Sequence, residues 1–178
     1  DLSVNKLQRS EPPEPDAMEV VKRVLVLGGG WAGISTALST AGAGYEVALV
    51  EKENQLGGHA AQMHKTFPLK PPYDQAQDIH LQERIDAVNQ HDKITVYTKS
   101  TLESLDGQPG DYTATIKAGS EQKEISVGSV VVATGWEEQD TSYLQPMGYG
   151  KYKNVVTTWQ LEKMAQQGEI VRPSDGAR

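Results

Sequence analysis

The sequence contains no cysteine among its 178 residues. This absence excludes disulfides, thiol redox chemistry and iron–sulfur clusters held by cysteines within the chain. Basic residues are also few, because 17 Lys and Arg stand against 24 Asp and Glu, which gives a net charge of −7. Binding of nucleic acid needs clustered positive charge on the protein. We therefore expect no nucleic-acid partner.

Long apolar runs are missing as well. Runs such as Val24 to Leu27 and Val130 to Ala133 are far shorter than the roughly 20 residues that a membrane span needs. The first residues show neither the charged region nor the apolar region of a secretory signal. These features predict a cytoplasmic chain without a transmembrane segment.

The length and the hydrophobic content of 37% favour one globular domain. Residues 1–20 include EPPEPDAMEV and are predicted to form an acidic, proline-rich leader or interdomain linker. Residues 21–178 are predicted to form an α/β domain, with a parallel sheet, flanking helices and a small antiparallel β-meander. We expect the meander to lead into a last buried strand, Ser129 to Ala133, and a final helix to lie around Thr157 to Gln167.

The stretch VKRVLVLGGGWAGISTAL, residues 21–38, has the pattern of a buried strand, a glycine-rich turn and a helix. Gly28, Gly30 and Gly33 have the spacing of a dinucleotide-binding turn. Gly28 allows a tight turn, Gly30 lets a pyrophosphate approach the backbone, and Gly33 lets the helix pack closely. Free N–H groups at the start of the helix favour the negative phosphates. The stretch therefore predicts a Rossmann-like dinucleotide site.

Glu51 ends the second predicted strand, 18 residues after Gly33. A carboxylate at this position accepts hydrogen bonds from the hydroxyls of the adenosine ribose. It also repels a 2′-phosphate, which argues against NADP. FAD and NAD share the adenosine diphosphate half, so the turn itself does not distinguish them. The pair Gly57-Gly58 and the small residues of Ala133-Thr134-Gly135 favour the longer FAD over NAD.

Four segments resemble the flavin domain of the A-type subunit of heterodisulfide reductase and its relatives: VLVLGGGWAG, VEKENQLGGHAAQMHKTFP, VVVATGWE and GYGKYKNVVTTWQLE. Those relatives include subunits of quinone-interacting membrane-bound oxidoreductases, within the glutathione-reductase-like flavoproteins that have two dinucleotide-binding domains. The resemblance covers roughly residues 21–178. It implies an FAD-binding oxidoreductase domain that carries electrons through its flavin beside other domains or subunits, at most peripheral to a membrane-bound complex.

The resemblance also implies which residues contact FAD. The glycines of the turn meet the pyrophosphate, and Glu51 binds the ribose. The rest of the FAD groove is lined by Lys52, Gly57, Gly58 and His59. The adenine meets the backbone of Thr101 and Leu102. The pyrophosphate and the ribityl chain lie near Ala133, Thr134 and Gly135.

Two departures from the resemblance matter. The heterodisulfide reductase subunits usually carry cysteines for an iron–sulfur cluster after KTFP, where this chain reads LKPPYDQAQDIH. We therefore expect no iron–sulfur cluster held by this chain. Family members also continue past RPSDG into a second nucleotide-binding region, so we expect a fragment of a larger subunit.

No catalytic side chain is assigned, because none has the spacing or partners that would identify one. His59 and His64 lack the companions of a metal site, and we expect no metal. Two alternatives to an FAD domain stay open. One is a non-catalytic module that binds ADP-containing ligands or docks within an electron-transfer complex. The other is an oxidoreductase domain that binds NAD.

Overall fold

The computed structural model describes residues 19–68 and 70–178. Of the leader or linker predicted over residues 1–20, all but the last two positions lie outside the described residues. Within the described part, no helix combines the length and the apolar character that crossing a membrane would require.

Seven strands form two sheets, and three α-helices and two 3-10 helices accompany them within the described ranges. The strands are β1 (Arg23–Leu27), β2 (Glu46–Val50), β3 (Ile94–Tyr97), β4 (Ser100–Gln108), β5 (Asp111–Ala118), β6 (Glu121–Val127) and β7 (Ser129–Val132). The α-helices are α1 (Trp31–Gly42), α2 (Leu81–Gln90) and α3 (Thr158–Gln166), and the 3-10 helices are Gly58–Gln62 and Thr141–Met147.

The central sheet is parallel, with the strand order β3-β2-β1-β7. In its middle, Leu25 of β1 lies between Ala48 of β2 and Val130 of β7. The apolar sequences of β1 and β2 fit strands that are covered on both faces. The second sheet is the antiparallel meander β4-β5-β6. The predicted α/β fold class is confirmed.

Two apolar cores cover the two faces of the parallel sheet. On one face, Val26 packs with Ile34 of α1 and Val88 of α2. On the other face, Leu25 packs with Ile116 of the meander. Successive side chains of β1 point to opposite faces, as the pleat of a strand requires. The helices α1 and α2 therefore pack on one face of β1 and the meander packs on the other, which fixes the position of the carboxyl end of β1.

β7 differs from the expectation of a fully buried strand. Val132 is 71% exposed, because β7 lies at the edge of the sheet and pairs with β1 alone among the described strands. The predicted final helix does form: α3 is flanked by Thr157 and Gln167, the two residues at which the prediction began and ended.

Candidate dinucleotide-binding site

The site lies at the carboxyl edge of the parallel sheet, where open α/β sheets bind their ligands. The glycine-rich turn leaves β1 there and enters α1. The N–H of Gly28 donates to the carbonyl oxygen of Val50 at 2.8 Å. The N–H of Ala133 donates to the carbonyl oxygen of Leu27, also at 2.8 Å. The turn is thereby tied to the ends of both neighbouring strands.

The fold leaves little room for a Cβ at three glycines of this region, and at Gly28 and Gly33 the obstacle is backbone. Gly28 has a φ of +102°, and a Cβ there would lie 2.4 Å from the carbonyl oxygen of Ala133. A Cβ on Gly33 would lie 1.8 Å from the carbonyl oxygen of Gly28. Gly29 was not singled out from the sequence, although a Cβ on it would lie 2.4 Å from a methyl carbon of Leu56. The run of three consecutive glycines, Gly28 to Gly30, is the sequence signal that could have identified Gly29.

Gly30 differs from these three glycines. Apart from its two neighbours in the chain, no described residue has an atom within 4 Å of the place where its Cβ would stand, and its backbone angles, φ −77° and ψ −171°, suit any residue. Gly30 caps α1 without a side-chain hydrogen bond, and the first turn of this helix contains no acidic residue. Among the described residues, the space beside Gly30 is thus open and the first N–H groups of α1 have no side-chain cap, an arrangement that can receive an anion.

Glu51 stands beside the turn and is only 6% exposed. Its Oε2 accepts a hydrogen bond from the N–H of Gly29 at 2.5 Å, and its Oε1 accepts one from the N–H of Glu53 at 2.8 Å. The carboxylate thus holds the glycine turn in place. Each carboxylate oxygen has a second acceptor position, so Glu51 keeps the capacity to bind a ribose hydroxyl, which stays a prediction.

The second glycine pair meets the first glycine turn. The N–H of Gly57 donates to the carbonyl oxygen of Gly29 at 2.8 Å. Gly57 and Gly58 have φ values of +123° and +52°, and a Cβ on Gly58 would lie 3.1 Å from the Cα of Gly30. Two backbone segments that are distant in sequence therefore border the open space at the start of α1.

His59 belongs to a cluster of three nearly parallel rings with Trp136 and Trp159. The His59 ring centroid lies 4.4 Å from that of Trp136 and 5.1 Å from that of Trp159, at interplanar angles of 18° and 24°. Nε2 of His59 is 2.8 Å from the backbone carbonyl oxygen of Trp136. Nδ1 is buried and has no hydrogen-bond partner among the described residues. Sequence reasoning missed both tryptophans.

The other predicted residues lie around this centre. Lys52, Thr134 and Gly135 are exposed. Thr101 and Leu102 lie near the start of β4, where the N–H of Ser100 donates to the backbone carbonyl oxygen of Glu51 at 2.9 Å. The segment predicted to meet the adenine therefore begins next to the residue predicted to bind the ribose.

Trp31 stands at the first position of α1 and is 42% exposed. The guanidinium carbon of Arg84 lies 4.7 Å from the centroid of a Trp31 ring, which is a cation–π contact. A side-chain nitrogen of Arg84 also donates to the hydroxyl of Ser35 at 3.1 Å. These contacts join the start of α1 to α2.

Two exposed groups outside the glycine turn have clearly shifted pKa values. Hydrogen bonds from the hydroxyl and the N–H of Ser142 hold the pKa of the Asp140 carboxyl below its ordinary value. A hydrogen bond to Glu83 raises the pKa of His80. Within residues 19–68 and 70–178, no group of three or more His, Asp or Glu side chains could hold a metal ion.

The fold and the site together define a Rossmann-like dinucleotide-binding domain. Residues 22–167 match the model of the pyridine nucleotide-disulphide oxidoreductases. The chain belongs to this family, and membership implies flavin binding.

Curated relatives agree with the resemblance seen in the motifs. An iron-sulfur subunit of A type from the CoB–CoM heterodisulfide reductase of Methanopyrus kandleri is 28% identical over 257 positions, which cover 98% of this chain and 38% of the relative. The A-type subunit of the H(2):CoB-CoM heterodisulfide,ferredoxin reductase from Methanothermobacter thermautotrophicus is 26% identical, with 99% of this chain and 38% of the relative covered. The chain thus spans well under half the length of these relatives.

The alignment with the Methanopyrus protein is 257 positions long, 79 more than the 178 residues of this chain. At least that many of its positions have no counterpart in this chain.

Among solved structures, the p-nitrophenol 4-monooxygenase PnpA from Pseudomonas putida DLL-E4 is similar, with 14% identity, a TM-score of 0.50 and coverage of 70% of this chain and 44% of that chain. The likeness to this solved structure concerns the fold alone.

Proposed function

We propose that the chain is the FAD-binding domain of an oxidoreductase similar to the A-type subunit of heterodisulfide reductase. The open backbone of Gly30 at the start of α1 carries this proposal, with Glu51 on one side and Gly58 on the other. These groups fit FAD, because the open space and the free N–H groups suit a pyrophosphate. When bound, the flavin supplies the electron-transfer chemistry, and the protein sets its position and surroundings.

The strand order supports a direction for the bound cofactor. Glu51 follows β2 and Ala133 follows β7, and these strands lie on opposite sides of β1. We assign the ribose to Glu51 and the pyrophosphate to Gly30 and the start of α1. The adenine side includes Lys52, Thr101 and Leu102; the flavin side includes Gly57, Gly58, His59, Ala133, Thr134 and Gly135.

The proposal includes partners. The two relatives named above are subunits of larger enzymes, and this chain covers 38% of the length of each. The chain has no cysteine and supplies no thiolate for an iron–sulfur cluster. Electrons would therefore pass between the flavin and another domain or subunit.

Substitution of Gly30 by Ala tests the cofactor site. A Cβ at Gly30 meets no described protein atom within 4 Å beyond its two chain neighbours, so the fold should tolerate it, whereas a pyrophosphate lying against the backbone would collide with it. We expect FAD affinity, measured by titration of flavin fluorescence, to fall by at least about tenfold, equal to about 1.4 kcal/mol.

Gly42→Ala is the matched control, because a Cβ on Gly42 also meets no described atom within 4 Å apart from its chain neighbours and the nearby backbone of its own helix, and Gly42 lies at the opposite end of α1. It should bind FAD like the unchanged chain. Equal FAD affinity in the Gly30 and Gly42 variants would contradict the proposed site. Binding of NAD in preference to FAD would favour the NAD alternative, and binding of ADP alone would favour a non-catalytic module.

A further inference from the structure

We infer that a cavity between α3 and the turn formed by residues 148–156 binds a small aromatic molecule that carries a phosphate group. The cavity has a volume of about 450 Å³, which is within the range of pockets that hold small organic ligands. Among the described residues that line it, none is assigned above to FAD. Three features carry the inference: the charge of the lining, its apolar surface and the hydrogen bonds that hold its walls.

The charged residues of the lining are all positive. Lys151, Lys153 and Lys163 line the cavity, and no Asp or Glu is among the described residues that do so. Within residues 19–68 and 70–178, none of these lysines forms an ion pair with a carboxylate. The whole chain carries a net charge of −7, so this grouping is opposite in sign to the average. Three cations around one cavity repel one another, and a bound anion relieves that repulsion.

The type of cation favours a phosphate over a carboxylate. Arginine binds a carboxylate through two parallel hydrogen bonds, whereas lysine acts as a compact point charge with three donors. No arginine is among the described residues that line the cavity, and the lysines come from two segments, the turn and α3. A phosphate monoester has three acceptor oxygens and up to about two negative charges at neutral pH. It can therefore contact lysines from both segments at once.

Apolar and aromatic side chains also line the cavity. Val155, Val156 and Met164 are half-buried there, and Tyr149 and Tyr152 contribute their rings. Inorganic phosphate would leave this surface uncovered, whereas an aromatic ring attached to the phosphate would cover it. Burial of apolar surface adds to the affinity of a ligand. The lining therefore favours a phosphate that is joined to an aromatic group.

Hydrogen bonds hold the walls of the cavity. The N–H of Tyr152 donates to the carbonyl oxygen of Gly148 at 2.9 Å, and Gly148 has a φ of +89°, which favours glycine. The N–H of Ser174 donates to Oδ1 of Asn154 at 3.0 Å. This second bond ties the turn to the segment that contributes Pro173 to the lining. The fold of the chain thus sets the shape of the cavity.

Phenyl phosphate is the probe, and titration of the nitrogen-15-labelled chain of 178 residues maps where it binds. We expect saturable shifts of the backbone N–H resonances of Lys151, Val156 and Lys163, with a dissociation constant of about 1 mM or tighter. Inorganic phosphate lacks the ring and benzoate presents less charge, so each should bind at least about threefold more weakly. Absence of saturable shifts at these residues, or equal or tighter binding of either comparison ligand, would overturn the inference.

Lysine substitutions test the role of the positive charge. A variant that combines Lys151→Gln with Lys163→Gln should bind phenyl phosphate about tenfold more weakly, because two charge-assisted contacts are lost. Lys123→Gln is the matched control. Nζ of Lys123 lies 5.1 Å from the centroid of the Tyr97 ring, much as Nζ of Lys151 lies 5.2 Å from that of Tyr152, but Lys123 belongs to β6.

The control variant should bind phenyl phosphate within about twofold of the unchanged chain. An equal loss in the control and the double variant would show that net charge, not the cavity, attracts the probe, which contradicts the inference. Circular dichroism of both variants checks that the fold is kept.

This cavity and the FAD site can fail independently. Gly30→Ala, which we expect to weaken FAD binding, should leave the affinity for phenyl phosphate unchanged. If Gly30→Ala weakens binding of the probe, or if the shifts lie at the start of α1 instead of at α3, the probe binds at the glycine turn and the inference is wrong. A chain that binds phenyl phosphate beside α3 but does not bind FAD contradicts the proposed function alone.

Discussion

Two segments that meet at the candidate site are held in place by different interactions. The segment from β1 to Glu51 is fixed by packing, and its residues Leu25, Val26 and Leu49 are fully buried. Of residues 133–178, Gly148 alone is buried. The comparison shows that the glycine-turn side of the candidate site is built on the apolar core, whereas the side with the two tryptophans depends on local contacts.

Polar contacts join the second segment to the 3-10 helix that carries His59 and to the residues directly after it. The amide nitrogen of Gln166 donates to the carbonyl oxygens of Ala61 and Met63, both at 3.2 Å. The N–H of His64 donates to the carboxylate of Glu162 at 2.9 Å. These contacts lie at the protein surface. Such hydrogen bonds position α3, but each contributes less stability than a buried apolar side chain.

The largest effect is expected for Gly33→Ala. A Cβ there would lie 1.8 Å from the carbonyl oxygen of Gly28, so the turn or the helix must move. We expect a loss of about 4 kcal/mol or more in the free energy of unfolding, measured with urea, at the upper end for overpacking. Gly42→Ala should lose nothing, because Ala favours the helix by up to about 1 kcal/mol. Similar stability in both variants would show that the turn is not tightly packed.

A smaller effect should distinguish the same residue type in the two segments. Leu49→Ala in β2 removes a fully buried side chain and should cost about 2–4 kcal/mol. Leu161→Ala in α3 removes a side chain that is 41% exposed and should cost less than about 1 kcal/mol. Both values come from urea unfolding. An equal loss would contradict the difference drawn between the two segments.

The smallest effect is expected for Thr157→Ala at the start of α3. The Thr157 hydroxyl accepts from the N–H of Gln160, and the Gln160 side chain accepts from the N–H of Thr157. Loss of this capping box should cost about 1 kcal/mol. We expect faster amide exchange in α3 and unchanged exchange in β1. Faster exchange in both would mean that α3 and the core unfold as one unit.

Sequence patterns predicted the packed segment well because its signals are local. Apolar strands around a glycine run predict a strand, a turn and a helix within about 30 residues. The pattern could not rank the glycines, however. It treats Gly28 and Gly30 alike, whereas the structure requires glycine at Gly28 for the fold and leaves the space beside Gly30 unfilled.

The tryptophan side of the site could not be predicted in the same way. His59 lies in a 3-10 helix, Trp136 in the loop after β7 and Trp159 in α3, and the three rings meet only in the folded chain. No spacing in the sequence connects them. The exposed edge at Val132 was also missed, because an apolar strand at a sheet edge has the same sequence pattern as one in the middle.

The place of the meander has a consequence for the kinetics of folding. β3 and β7 lie at opposite edges of the parallel sheet, and β4, β5 and β6 carry the chain from one edge to the other. Val24 pairs with Val47 on one side and, on the other, with Ser129, which is 105 residues further along the chain. Such distant pairing forms slowly compared with local contacts. We therefore expect the Leu27–Ala133 hydrogen bond, which completes the edge beneath the glycine turn, to be among the last native contacts formed.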